Sequence, residues 1–126
     1  MGYLIDSNVV IDYVAEHFIP AQLSQLDTIF DQEFTVSVIT QIETLGFAAT
    51  SEEDQKLQLF FQAAHILELS KEVAQKTILL RKAIKIKTPD AIIAATALVY
   101  NYTLLSRNLS DFNKVPDLKV VNPHNW

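Results

Sequence analysis

Four of the fifteen acidic residues stand where the chain's pattern puts a strand end or a helix start, and acids so placed can hold a cation or move a proton. Asp6 follows the apolar run "YLI", and Glu43 lies in the helix expected after "TVSVI". Asp90 falls in the first turn opened by Thr88-Pro89, and Asp111 lies in "SRNLSDF", just past "YTLLS". Each has a plainer reading. Asp6 can cap the first helix, Asp90 can answer the positive end of a helix dipole, and Thr40-Gln41-Ile42-Glu43 reads as a capping box. Together they pose a different problem. Two carboxylates about 4 Å apart repel by roughly 4 kcal/mol at an effective dielectric of 20, against the ~5–15 kcal/mol that holds a domain folded. If the four meet, either some are protonated or a divalent cation is held among them. The chain has no cysteine, and His17, His65 and His124 show no ligand spacing and are assigned no role. An all-oxygen set of this kind favours Mg²⁺ or Mn²⁺ over Zn²⁺.

The elements that would position these acids alternate. "GYLI" reads as a strand, followed by a helix from Ser7 or Asn8 and a second helix opened by Pro20 through "AQLSQLDTIF". "EFTVSVI" is β-branched and strand-like. Thr40 is expected to head a helix through "ETLGFA", and Ser51 the next, with Glu52, Glu53 and Asp54 behind it. "HILEL" is a third strand, Ser70 caps a helix to about Ala83, "DAIIAATALVY" is an apolar helix, and "YTLLS" and "KVV" are the last strands. Alternation of this kind predicts a three-layer α/β/α fold with a five-stranded parallel sheet covered on both faces. Functional groups in such sheets gather outside the carboxyl ends of the strands, where Asp6 sits.

Composition narrows the function classes. A chain of 126 residues, 49% hydrophobic, with two Gly and four Pro and no repeat or low-complexity tract, is expected to form a single domain over 1–126. Without cysteine there is no disulfide framework, thiolate zinc site or cysteine nucleophile, and a cytoplasmic setting is expected. The longest apolar stretch, "AIIAATALVY", is about half the length of a bilayer span, so no membrane role is expected. Met1-Gly2 fails as a myristoylation signal because position 6 is Asp. The net charge of −5 disfavours a general polyanion-binding surface, so nucleic acid would need a local basic patch or a bound cation. "RKAIKIK" supplies such a patch: Arg81, Lys82, Lys85 and Lys87 are four of the ten basic residues, just before Asp90. Basic residues also favour the carboxyl end of a helix, so this run has a structural reading too. Arg107, between Ser106 and Asn108, is the better single candidate for a phosphate contact. Phe60, Phe61 and Trp126 read as core or interface residues.

"YLIDSNVVIDY", "VSVITQIETLGF", "KTPDAIIAATALVYNYTLLSRNLSDFNKV" and the closing "LKVVNP" resemble, in order and over nearly the whole chain, the PIN domain. The likeness is greatest to the VapC-type ribonuclease toxins of bacterial toxin–antitoxin pairs. The resemblance implies a metal-dependent endoribonuclease in which Asp6, Glu43, Asp90 and Asp111 match the family's four acids. Asn8, Ser106 and Asn108 match polar positions around them. Ser7 and Ser106 stand where the family more often carries threonine, and neither exchange removes an oxygen donor. "ETLGFA" departs from the usual spacing to a later glycine. On this reading Asp6, Asp90 and Asp111 bind Mg²⁺ or Mn²⁺ directly or through water, and Glu43 places or deprotonates the attacking water. The resemblance also implies an RNA substrate, a small antitoxin partner and a homodimer. The competing readings are a solitary RNA-processing enzyme of the same family, a Mg²⁺-binding phosphoacceptor signalling domain, and a module that holds RNA without cutting it. The signalling site wants a late-strand lysine, where "TLLSRN" offers Arg107.

Overall fold

The computed structural model describes residues 2–47 and 50–126. Among them are five short strands: β1 Tyr3–Ile5, β2 Thr35–Ser37, β3 His65–Leu67, β4 Thr103–Leu105 and β5 Val120–Val121. The helices are α1 Ser7–Val14, α2 Pro20–Gln32, α3 Val38–Phe47, α4 Ser51–Ala63, α5 Lys71–Ala83, α6 Thr88–Tyr100 and α7 Leu109–Phe112, with a 3₁₀ turn over Pro123–Asn125. All strand pairs are parallel, in the order β3-β2-β1-β4-β5. The expected three-layer architecture is therefore present, and no described helix is long and apolar enough to cross a membrane.

Period-two alternation sorts the strand residues to two cores. Leu4 pairs with Leu104, and both enter the core formed with Val73, Leu80 and Ala91–Ala97, so α5 and α6 cover that face. Ile5 pairs with Leu105, and both join Val36, Val9, Val10, Leu26, Phe30, Leu57 and Phe61 on the face covered by α1, α2 and α4. Helix α6 is buried at seven consecutive positions, Ala91 to Ala97, which explains why its sequence lacks a polar stripe. Its alanines let α5 and the sheet approach closely, while Ile92 and Ile93 each contribute about 1.5–3 kcal/mol by leaving water. The one hydroxyl in that run, Thr96 Oγ1, donates back to the carbonyl of Ile92 at 2.7 Å. Asn101 ends the helix in the left-handed conformation, φ 57°.

The order of strands makes β1 the switch point. The chain leaves β1 toward β2 and β3 on one side, then crosses back to β4 and β5 on the other, opening a crevice beyond the carboxyl ends of β1 and β4.

One local expectation needs correction. Helix α3 begins at Val38, not at Thr40, so there is no Thr40 capping box. Ser37 supplies the capping oxygen, accepting from the Ile39 N–H at 3.1 Å. The apolar pair Val38-Ile39, which reads as strand in sequence, winds into the helix because the third layer covers it: Ile39 packs against the core of α5 and α6. Thr40 is fully buried, and its hydroxyl has no hydrogen-bond partner among the described residues. Helix α3 runs on to Phe47, and the Ala48 of "ETLGFA" lies outside the described residues.

Candidate active site

Asp6 is the first residue past β1, and its backbone N–H donates to the carbonyl of Leu105 at 2.9 Å, which extends the β1–β4 pairing to the crevice. Its side chain also caps α1: Oδ1 accepts from the Ser7 N–H at 2.8 Å. The plain reading of Asp6 is thus right and incomplete. Its Oδ2 accepts from the Ser106 hydroxyl at 2.7 Å and from the Asn8 amide at 3.2 Å. Asp6 is 5% exposed, and burial pushes its carboxyl up to about 6 against the pull of these donors; the charges of Asp90 and Glu43 push the same way.

Asp90 lies in the first turn of α6, after the Thr88-Pro89 start. Partial burial, followed by the charges of Asp111 and Glu43, raises its carboxyl above the usual range, and Lys87 opposes them. Glu43, in the second turn of α3, is exposed, and its Oε1 accepts from the Ser7 hydroxyl at 2.9 Å. Asp111 lies on α7, a short helix with no counterpart in the sequence reading. Its Oδ2 accepts from the Asn108 amide at 2.9 Å, which holds its carboxyl below the usual range, and Lys114 Nζ lies 3.6 Å from Oδ1.

Four sequence-distant segments therefore bring their acids to one edge of the sheet, close enough that the charges of Asp90 and Glu43 act on Asp6 and those of Asp111 and Glu43 act on Asp90. The polar residues expected around them are also there. Asn8 donates to both Asp6 and Ser106, Ser106 Oγ accepts from the Asn108 N–H at 3.0 Å, and Asn108 holds Asp111. Among the described residues no three carboxylate or imidazole side chains already form a closed ligand set around one point.

Beside the acids runs an open groove of about 480 Å³ lined by Arg81, Lys85, Ile86, Lys87, Asp90, Asp111 and Lys114. Three of the four basic residues expected from "RKAIKIK" line it, and Lys82 does not. Arg81 also has a structural bond, Nε donating to the carbonyl of Ile86 at 3.3 Å. Lys114 was missed by sequence reading, since only the turn of α7 carries it to this wall.

Arg107 is placed differently. Its Nη1 reaches Asp12 at 3.0 and 3.3 Å, and its backbone N–H donates to Asn8 Oδ1 at 3.0 Å. Asp12 is 3% exposed and also meets His124 Nε2 at 2.9 Å and His17 Nδ1 at 3.6 Å. Sequence reading gave Asp12, His17 and His124 no role. The available signal was the spacing from Asp6 to Asp12, which on a helix starting at Ser7 puts Asp12 one turn beyond Asn8.

Known proteins give an independent comparison. A stretch of 43 residues is 44% identical to a Ribonuclease VapC of Rickettsia bellii (strain RML369-C), spanning 34% of this chain and 32% of that protein. Over nearly the full length, the fold superposes on a toxin–antitoxin complex from Klebsiella pneumoniae at 29% identity and TM-score 0.77, covering 97% of this chain and 98% of that one. VapBC2 from Rickettsia felis, solved with a DNA fragment from its promoter, has the same fold at 23% identity and TM-score 0.82, with 97% and 98% covered. The PIN domain family model matches residues 3–118, and the chain belongs to that family.

Proposed function

We propose that this chain is a metal-dependent endoribonuclease that hydrolyses RNA phosphodiester bonds, acting as the toxin of a toxin–antitoxin pair in the cytoplasm. The observation that carries the proposal is the meeting of four carboxylates at the switch point of the sheet, where Asp6 and Asp90 are raised by burial first and by neighbouring acids second. Such crowding is costly without a counter-charge, and the donors are all oxygen, which fits Mg²⁺ or Mn²⁺. Asp6, Asp90 and Asp111 are the residues that would hold the ion, directly or through its water shell. Bound there, it supplies positive charge that admits an anionic phosphodiester and stabilises the charge gained on attack.

The chain's own groups divide the remaining work. Ser106 and Asn8 fix the Asp6 carboxylate, and Asn108 fixes Asp111. Glu43 is oriented by Ser7 and is exposed, so it is suited to place the attacking water and take its proton. Lys85, Lys87, Arg81 and Lys114 line the approach to Asp90 and Asp111, where they can contact the backbone of single-stranded RNA. Arg107 ranks below these lysines as a phosphate contact because its guanidinium is engaged by Asp12. A phosphoacceptor site is disfavoured for the same reason, since the residue after Ser106 faces Asp12 and no lysine takes its place.

The similar toxin–antitoxin complex from Klebsiella pneumoniae supports an antitoxin partner, and the family resemblance adds a homodimer to the proposal. A hollow lined by Ile11, Val14, Phe47 and Leu57, with Glu52, Glu53 and Lys56 also on its walls, offers surface suited to a protein partner.

The test is cleavage of a labelled single-stranded RNA by the purified chain. We expect cutting with Mg²⁺ or Mn²⁺, none with chelator, and a loss of at least about 100-fold in Asp90→Asn, the scale typical when a positioned acid or base is removed. Undiminished cleavage by Asp90→Asn, or by the wild type in chelator, overturns the proposal.

A further inference from the structure

Asp12 lies outside the four-acid cluster, yet its contacts reach into it. Helix α1 ends in a Schellman turn: the His17 N–H donates to the Asp12 carbonyl at 2.9 Å, the Glu16 N–H to Tyr13 at 3.2 Å, and Glu16 is left-handed at φ 62°. That turn carries Phe18 back against His124, ring to ring at 4.2 Å, while Gln22 donates to the His124 carbonyl at 2.7 Å. His124 is thereby held with Nε2 on Asp12 Oδ2, and the second anchor of the same carboxylate is Arg107.

Arg107 is the middle residue of the turn that follows β4. Its two neighbours each hold one of the acids: Ser106 donates to Asp6 at 2.7 Å and Asn108 to Asp111 at 2.9 Å. Its own N–H is accepted by Asn8, whose amide reaches Asp6. A backbone with neighbours aimed at two separate carboxylates must keep one orientation: Ser106 is buried and its N–H donates to the Val121 carbonyl at 3.0 Å, whereas Arg107, the exposed residue of the turn, needs an anchor of its own. The Arg107 guanidinium finds it by pairing with the buried carboxylate of Asp12, 95 positions away in sequence.

We propose that Asp12 is a positioning residue for the acidic site: through Arg107 it fixes the turn 106–108, and the turn fixes Asp6 and Asp111. Asp12 touches neither acid. Its effect on catalysis rests on the nuclease reading above, but its effect on the turn does not.

The test uses Asp12→Asn, Arg107→Gln and the double variant in the full chain. By hydrogen exchange without divalent ions, the amides of Arg107 and Asn108 are expected to lose protection by at least about 10-fold in each single variant, with strand amides of β1 and β4 unchanged. RNA cleavage is expected to lose about 10- to 100-fold in kcat, with KM for RNA held, the range found when outer-shell partners of metal ligands are removed. The double variant should match the worse single variant, because both break one chain of contacts. Wild-type exchange at Arg107 and Asn108 overturns the inference whatever happens to thermal stability, as do additive losses. If Asp12→Asn fails to fold, Arg107→Gln decides alone, since that side chain is 57% exposed and its loss leaves the core intact. If the wild type does not cut RNA, the nuclease reading falls, and the exchange measurement still judges the clamp.

Discussion

Removing the charge at Asp6 should stabilise the metal-free protein, an unusual outcome for a buried residue with three hydrogen-bond donors around it. Its carboxyl stands at about 6 instead of 3.8 because burial and two neighbouring acids penalise the charged form. At about 1.4 kcal/mol per tenfold change in proton affinity, that is about 3 kcal/mol against folding at neutral pH. Asp6→Asn removes this penalty but weakens the bond from Ser106, a loss of about 1 kcal/mol. The net gain is about 2 kcal/mol, or roughly 5–10 °C in Tm for a domain of this size. The sign depends on pH. Between about 4 and 6 the folded chain keeps a proton on Asp6 that the unfolded chain has released, so wild-type stability falls as pH rises through that window. Asp90 adds in the same direction. Urea unfolding in chelator at pH 4.5 and 7.5 gives the check: Asp6→Asn should exceed wild type clearly at pH 7.5 and by much less at pH 4.5. A variant less stable than wild type at pH 7.5, or a difference independent of pH, would refute the reasoning.

Lys85→Gln and Lys87→Gln should each weaken binding of a non-cleavable single-stranded RNA several-fold and flatten the log–log salt dependence by about 0.7, measured by fluorescence anisotropy across a salt series. Thr40→Val removes a buried hydroxyl without a partner and should leave the protein equally or more stable by about 1 kcal/mol, whereas Thr44→Val loses a 2.7 Å bond to the Thr40 carbonyl and should cost about 1 kcal/mol. Both are read by urea unfolding, and a larger loss at Thr40 would contradict this view. Glu16→Gly should stabilise by about 1 kcal/mol, because glycine takes the left-handed conformation at the end of α1 without strain.

The parts of the site that could be read from sequence are those set by local chemistry. Asp6 follows a three-residue apolar strand, and Asp90 follows Thr-Pro at a helix start, so chain direction and turn residues alone place both at the carboxyl edge. The start of α3 could not be read this way. Val38 and Ile39 favour strand by propensity, and the packing of Ile39 against the core of α5 and α6 draws the pair into the helix, moving Glu43 from the first turn to the second. Helix α7 is too short to show a period, yet its turn brings Lys114 beside Asp111. The contacts of Asp12 were harder still, since Arg107 and His124 lie 95 and 112 positions away and no spacing rule joins them.

The central claim is that Asp6, Asp90 and Asp111, from three separate segments, share one divalent ion. Crystals grown with Mn²⁺ and measured at the manganese edge test it most directly. The expected result is a single strong anomalous peak among the carboxylates of Asp6, Asp90 and Asp111, absent in Asp90→Asn crystals grown alongside. A wild-type map with no peak there, at Mn²⁺ concentrations that support RNA cleavage, would contradict it.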